Sequence, residues 1–405
     1  MTKPVELRRV REGELEGFLR TMSFAFAERF RPEEVADTEA LLELERTVGW
    51  HDGEQWVATS GAIGFGLTVP GGAQLPAAGV TAVGVCPTHR RRGLLTAMMG
   101  ALLDDARERA EPVAILFAAE SPIYGRFGFG AATIDRSLRI ARPYTRFRRE
   151  LPSPPGTMVE LAPDASAAAR LVPVYAREQA RRPGAPARAE AYFTHATLAP
   201  EHDEPGQRRL VVYEGPDGDE GYALYRVAEG WNELTDVPDG SLTVLELIAP
   251  TPVAAAALWR YLLDIDLMER VSAPRRPADE PLTHMLADPG RLDLHVVEGL
   301  YLALLDVPAA LSARSYATED AIVLEVEGAG AFRLEGAQEG GHCVASSART
   351  DVALSTEALG ALYLGGVAPL ALAGAGRIEE RTAGAVARLA AMLAAPIPPW
   401  CPFTF

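Results

Sequence analysis

Lysine is nearly missing from this chain. Of 39 basic residues among 405, only Lys3 is a lysine, and the rest are arginine. A Schiff-base lysine and a P-loop lysine are thereby excluded as mechanisms. GC-rich codon usage accounts for this bias and for the abundance of Ala, Gly, Pro and Arg. Cysteine is also scarce. Cys86, Cys343 and Cys401 are odd in number and widely spaced, and no CxxC occurs, so neither a disulfide framework nor a zinc site is indicated. That usage fits a reducing compartment, and a cytoplasmic location is expected. The seven histidines are scattered and form no HExxH. Basic charge falls short as well: 39 cationic against 55 acidic residues give a net charge of −16. A nucleic-acid binder needs a basic footprint, so that class is excluded, whereas cationic partners suit the balance. The first 14 residues are charged and contain no apolar core, so no signal peptide is expected. Residues 358–376 carry no charge over 19 positions, but five glycines and Pro369 break the run. It reads as a short helix, a turn and a strand in a core, not as a membrane span.

What is present is enough to fold. Hydrophobic residues make up 48% and charged residues 23%, so the chain can bury real cores, and its length suits two or three domains. The first block reads as mixed α/β. Leu15, Phe18, Leu19, Met22 and Phe26 recur at helical spacing, and a second helix follows Pro32. Strand-like runs come at 55–59, 62–69 and 80–85. Leu94, Met98, Leu102 and Ala106 then stack on one helix face, and 113–118 and 133–140 read as strands. A boundary rich in Arg and Pro (142–155) opens a second block that repeats the first: strands at 209–213, 222–227 and 241–249, then a helix at 253–263 capped by Thr251-Pro252. Its strand-to-helix loop has no Arg or Gly, which suggests a duplicated fold with a degenerate site. After a Pro-rich stretch, a third block begins near Arg291, with alternating strands at 321–326, 331–335 and 342–346 and helices at 307–313 and 383–393. The chain ends in a stiff tail with four prolines after residue 395 and with Trp400, Phe403 and Phe405. Such a tail is too apolar to hang in water and is expected to dock.

The stretch from Val83 to Thr96, VGVCPTHRRRGLLT, carries the clearest chemistry. It is a buried strand, a loop of Arg90, Arg91 and Arg92 ending at Gly93, and the start of an amphipathic helix. A helix N-terminus offers unpaired N–H groups and a positive dipole end. Gly93 allows a close backbone approach, and the arginines add charge and paired donors. Together they suit a pyrophosphate. A bare RRRG would as readily be a solvated basic turn; the strand-to-helix setting favours the anion site.

Arg90-x-x-Gly93 after a Val-rich strand resembles the acetyl-CoA signature of the GCN5-related N-acetyltransferases (GNAT). Leu95 stands where that pattern has Gly or Ala. The wider match is to the Eis (enhanced intracellular survival) group of actinobacterial acetyltransferases. Residues 81–99, the segment Ile123-Tyr-Gly-Arg-Phe-Gly-Phe-Gly130 and the Pro-Trp-Cys-Pro tail carry this resemblance, and the three-block layout agrees over the whole chain. It implies an α/β (α+β) fold: two tandem GNAT-like mixed-sheet domains plus a C-terminal sterol-carrier-protein-2-like α/β domain. The expected divisions are 1–145 (catalytic), 146–290 (degenerate) and 291–405, with the tail returning to the active site. It also implies acetyl-CoA as co-substrate, no metal, no membrane span, a homohexamer built as a dimer of trimers, and acetylation of amines such as those of aminoglycosides.

The resemblance assigns residues too. Val83, Gly84 and Val85 would lie beside the pantetheine arm. Arg90 to Thr96 (Arg90, Arg91, Arg92, Gly93, Leu94, Leu95, Thr96) would hold the pyrophosphate, and Ala119 and Glu120 would also touch the cofactor. By its neighbours alone, Tyr124 reads as a packed member of a cluster with Phe127 and Phe129; the resemblance makes it the general acid that protonates the leaving thiolate. The α-carboxylate of Phe405 becomes the general base, with an intrinsic pKa of about 3.3–3.7. Thr404 stands where the group has an acidic residue. Phe24, Phe26 and Glu28 are the substrate-pocket candidates. His89 reads as an exposed loop residue, His342 and Cys343 as strand residues, and Cys86, followed by Pro87, as structural rather than nucleophilic. Transfer would be direct, in a ternary complex, with the oxyanion held by a backbone N–H near Val85. Three alternatives stay open: a protein or peptide lysine acetyltransferase, an apolar-ligand module built on the third block, and a non-catalytic regulator.

Overall fold

The computed structural model describes residues 5–149, 154–200 and 205–405; Lys3 and part of the 142–155 boundary lie outside them. Two compact units result: 1–132 with 300–396 and 405, and 133–299 with 397–404. The chain runs first through β1 (Glu6–Arg9), α1 (Leu15–Ala25), α2 (Val35–Leu41), β2 (Thr47–His51), β3 (Trp56–Thr68), β4 (Gln74–Val85), α3 (Leu94–Glu108), β5 (Val113–Phe117) and β6 (Gly130–Ala131). It continues with β7 (Ile134–Ala141), β8 (Thr157–Leu161), α4 (Ala168–Arg181), the single turn α5 (Glu190–Tyr192), β9 (Gln207–Gly215), β10 (Gly218–Ala228), β11 (Trp231–Asn232), β12 (Val237–Pro238), β13 (Gly240–Ile248), α6 (Pro252–Asp264), β14 (Met268–Arg276), α7 (Leu282–Met285) and β15 (Asp293–Glu298). It closes with β16 (Leu300–Leu304), α8 (Val307–Ala313), β17 (Asp320–Val326), β18 (Gly330–Ala337), β19 (Gly340–Ala345), β20 (Val352–Leu354), α9 (Thr356–Leu362), α10 (Pro369–Gly374), β21 (Ile378–Glu380) and α11 (Ala385–Leu393).

The first unit holds a sheet of order β1-β2-β3-β4-β5-β16-β6, antiparallel except for the pair β4–β5. The second holds β8-β9-β10-β13-β14-β7-β15, antiparallel except for β13–β14. Position for position the two sheets match, so the same mixed α/β fold occurs twice. The sixth position is filled in each by a strand from elsewhere in the chain. β16 follows residue 299 and sits between β5 and β6; β7 precedes the 142–155 boundary and sits between β14 and β15. Both β7 and β15 thus lie outside 146–290 yet belong to the second sheet.

Apolar spacing explains the helices that back the first sheet. α1 buries Leu15, Phe18 and Leu19, and α3 buries Leu94, Met98, Met99, Leu102, Leu103 and Ala106 along one face. Buried Arg46 donates to the Glu111 carboxylate through bonds of 2.6 and 2.9 Å. The third block contributes a separate sheet, β19-β18-β17-β20-β21. Its uncharged stretch is not the helix, turn and strand read from the sequence. The second half is helical, because Pro369 sits in the first turn of α10, where its missing N–H costs nothing. Within this block Arg314 is fully buried with no carboxylate partner among the described residues. It donates to the carbonyls of Tyr363 and Leu393 (3.2 Å to the latter) and stacks on Tyr316, and burial pulls its guanidinium below the ordinary arginine range.

In the second unit the tail residues 397–404 dock, as their composition demands. The Trp400 amide donates to the Pro183 carbonyl at 2.8 Å, and its indole donates to the Arg275 carbonyl at 2.9 Å. Phe403 packs against Tyr192 at 4.8 Å, under the Arg188 guanidinium at 4.7 Å, and Tyr192 donates to the Thr404 carbonyl at 2.8 Å. Arg188 is held by Glu246 at 2.9 Å. No helix among the described residues is long and apolar enough to cross a membrane.

Asp135 on β7 gives this unit a pH dependence. Its side chain is buried, and burial pushes the carboxyl up to about 7, with Arg275, a 3.5 Å bond from Thr133 and Arg276 opposing in part. The native state therefore keeps a proton that the unfolded chain releases near pH 4. Its contribution to stability is greatest below that value and falls as pH rises from about 4 to about 7, by up to about 1.4 kcal/mol per pH unit. Chemical denaturation across that range checks this: Asp135→Asn is expected to flatten the slope, and an unchanged slope would locate the titration elsewhere.

Candidate active site

The site starts from a pair of strands that part company. β4 and β5 are in parallel register only at Ala77–Val113, Ala78–Ala114 and Gly79–Ile115. β4 then runs on to Val85 and β5 to Phe117 without pairing to each other. A bulge in β4 accompanies the split. Its register against β3 shifts between Thr59/Gly84 and Gly61/Thr81, and Ala82 takes a left-handed φ of 55°, held by Thr59 Oγ1 donating to its carbonyl at 2.8 Å. Beyond the bulge, the Cys86 N–H donates across to Val57. Alternation along the strand then turns the N–H and C=O of Val83 and Val85 the other way, into the gap where β5 would have paired. Gly84 faces α1: a Cβ there would stand 2.8 Å from that of Ala25.

The loop after β4 forms the second wall. Residues 87–89 make one 3-10 turn; Arg91 (φ 63°) and Gly93 (φ 78°) are both left-handed. Successive turned amides of this kind make an anion-binding concavity. Gly93 is the N-cap of α3 and supplies no side-chain cap, so the first amides of a 15-residue helix stay available. Trp50 fixes the helix by donating to the Leu94 carbonyl at 3.1 Å. Arg90 reaches the Val85 carbonyl at 3.4 Å, and Arg92 turns back to the Thr88 carbonyl at 3.1 Å. The corresponding loop in the second unit is different in kind. Thr251 Oγ1 caps α6 by accepting from the Ala254 amide at 3.1 Å, so that helix end is already satisfied.

Gap and loop open into one cleft of about 770 Å³. Its lining includes Val83, Gly84, Val85, Arg90, Arg91, Gly93, Leu94, Leu95, Thr96, Ala119, Glu120, Tyr124, Phe26 and Phe405. Arg92, Phe24 and Glu28 are not among its lining residues. Arg92 points back into its own loop; Phe24, Phe26 and Glu28 are all exposed at the helix end, and of the three only Phe26 reaches the cleft. Sequence reasoning missed Ala25, His89 and Arg126 as lining residues. His89 is half-buried with its Nδ1 2.9 Å from Thr88 Oγ1, not simply exposed; Arg126 was visible within the 123–130 motif. Among the described residues that line it, Glu120 alone has an acidic side chain, set against Arg90, Arg91 and Arg126. The cleft wall therefore suits a polyanionic ligand better than the net charge of −16 would suggest.

Two further residues face the cleft. Tyr124 is buried beside Phe129, and its hydroxyl has no hydrogen-bond partner among the described residues. Burial, helped by the Glu120 charge, raises its phenol above the ordinary tyrosine range, so it stays protonated at neutral pH. The Phe405 ring sits 4.9 Å from Phe65 and 5.5 Å from Phe117. Gly79 makes room for this: a Cβ there would stand 2.5 Å from Phe65 and 3.0 Å from Phe405. Burial also pushes the Cys86 thiol up, Arg90 opposing, which leaves it a poor nucleophile. No group of three or more His, Cys, Asp or Glu among the described residues is placed to hold a metal.

Known proteins share this architecture. Residues 6–132 and 184–301 each match the acetyltransferase (GNAT) domain, and 307–402 match the sterol carrier protein domain. An N-acetyltransferase of Streptomyces avermitilis is 41% identical over 91% of both chains. The N-acetyltransferase Eis of Mycobacterium tuberculosis is 34% identical over 97% of this chain and 98% of its own. The crystal structure of Eis1 from Mycobacterium abscessus superposes with a TM-score of 0.85 at 30% identity, covering 99% of this chain and 100% of the other. An acyl-CoA fits the open strand edge and the uncapped helix end. Arg91→Ala, which removes a charge from that end, is expected to weaken acyl-CoA binding about tenfold by calorimetry. Unchanged affinity would take Arg91 out of the anion site.

Proposed function

Given that this chain belongs to the Eis-type family of GCN5-related N-acetyltransferases, and is an N-acetyltransferase, we propose that it transfers acetyl from acetyl-CoA directly to a primary amine of a small polycationic molecule of the aminoglycoside kind. The observation that carries the reading is the single cleft that joins the anion-binding helix end, the open edge of β4, the Tyr124 phenol and the chain-terminal Phe405. The amides of α3 and the loop arginines hold the pyrophosphate. The backbone groups of Val83 and Val85 pair with the amides of the pantetheine arm and present an N–H to the thioester oxygen. The acceptor arrives as an ammonium and must lose a proton. The Phe405 carboxylate takes that proton, directly or through a water. The amine nitrogen then bonds to the acetyl carbon, the carbon–sulfur bond breaks, Tyr124 donates its proton to the departing sulfur, and the phenolate so formed recovers a proton from the new amide nitrogen, directly or through a water. A raised phenol pKa favours this, because the acid must remain protonated until the thiolate forms.

The same reading makes the second unit a scaffold without its own cofactor site, since Thr251 occupies the helix end that would otherwise bind phosphate. The hexamer of the family belongs to it as well. All six residues of the edge strand β15 are exposed, with Leu294, Val296 and Val297 open, a surface that assembly would cover.

Two variants test the chemistry. Tyr124→Phe is expected to lower kcat about 100-fold with little change in acetyl-CoA affinity. A short C-terminal extension, which moves the carboxylate away from Phe405, should abolish turnover and leave that affinity intact. Full turnover in either variant removes the corresponding group from the mechanism. A screen of aminoglycosides, polyamines and lysine peptides, read by CoA release, decides the acceptor class; preference for the peptides would favour the protein-acetyltransferase alternative.

A further inference from the structure

The glycines of the Tyr124 segment have a structural reason that the cleft does not explain. Gly125, Gly128 and Gly130 all press against one helix of the third block, α9. A Cβ at Gly130 would stand 2.1 Å from the Glu357 carbonyl and 2.5 Å from the Ala361 nitrogen. One at Gly125 would stand 3.0 Å from the Glu357 carboxyl carbon, and one at Gly128 would stand 3.3 Å from Thr356. The fit is reciprocal. A Cβ at Gly360 would stand 2.1 Å from the Leu302 carbonyl on β16 and 3.1 Å from the Gly130 nitrogen. Backbone thus meets backbone from both sides, and neither partner has room for a methyl group. Glu357 is held in turn by Arg377 at 2.9 Å.

This contact reaches Tyr124 through a short covalent and hydrogen-bonded path. The Tyr124 carbonyl accepts from the amides of Phe127 at 3.0 Å and Phe129 at 3.3 Å. The segment pressed by α9 is therefore the same one that fixes the Tyr124 backbone. Ser355 caps α9 by accepting from the Ala358 amide at 3.1 Å, so the helix end at the contact is itself rigid.

We propose that the sterol-carrier-like block is a positioning element of the acetyltransferase site, acting through the Gly360–Gly130 contact to hold Tyr124 in donating position. The proposal rests on the reading of Tyr124 as the general acid. Gly360, Glu357 and Gly130 are positioning residues; none lines the cleft.

The test is a kinetic cycle on the full chain with acetyl-CoA and an amine acceptor: parent, Gly360→Ala, Tyr124→Phe and the double variant. Gly360→Ala is expected to lower kcat about tenfold while the acetyl-CoA Kd changes less than about twofold. In the Tyr124→Phe background the same substitution should lower kcat by less than about twofold, because its target is already gone. Losses that multiply would make α9 a general support and overturn the proposal, as would full kcat in a folded Gly360→Ala protein. If Gly360→Ala does not fold, Glu357→Ala carries the same cycle from a half-buried position, with an expected loss of about threefold. Full turnover of Tyr124→Phe alone identifies the other failure: the acid assignment is wrong, and the proposal falls with it.

Discussion

A strand that leaves its neighbour partway must leave backbone groups open, and those groups have to be used by something. Here β4 leaves β5 at Gly79, and the Ala82 bulge turns the rest of the strand away. The gap exposes Val83 and Val85 on one side. On the other it admits Phe405, whose ring rests against Phe65 and Phe117 over Gly79. The helix end with open amides, the strand edge with open backbone groups and the terminal residue therefore meet at one break in one sheet.

The duplicated unit shows what the break alone does not supply. It repeats the mixed sheet, with a parallel pair at the same position. Yet its helix end is occupied by Thr251, and its strand-to-helix loop has neither arginine nor a left-handed glycine. Sheet geometry is inherited by both copies; chemistry depends on a handful of loop residues. In the second unit Arg188 and Tyr192 pack against Phe403 of the tail.

Much of this was legible from the residues. The periodicity of α1 and α3, the Thr251 cap and the helices at 307–313 and 385–393 follow from local patterns, and local patterns survive in sequence. The place of the arginine loop was legible because Gly93 and three arginines stand between a strand and a helix, and Arg90, Arg91 and Gly93 do line the cleft. Long-range exchange was not. β7 and β16 look like ordinary members of the blocks they adjoin, and nothing in either sequence says that each fills the sixth place of the other copy's sheet. Side-chain direction was equally hidden: Phe24 and Phe26 differ by two residues, and only the second faces the cleft. The glycines at 125, 128 and 130 read as a motif, while their physical cause, a helix more than 220 residues further on, had no local signal. The strand read within the uncharged stretch 358–376 failed for a local reason, since Pro369 serves helix α10 as a first-turn residue.

The central claim is that the open edge of β4 and the uncapped end of α3 together seat the acyl donor. Amide hydrogen exchange, followed with and without acetyl-CoA, reads that directly. The account predicts strong protection of residues 83–85 and 91–96 on binding, with no comparable change at the strand-to-helix turn around Thr251. Tight binding that left 83–85 and 91–96 exchanging at their free rates would contradict it.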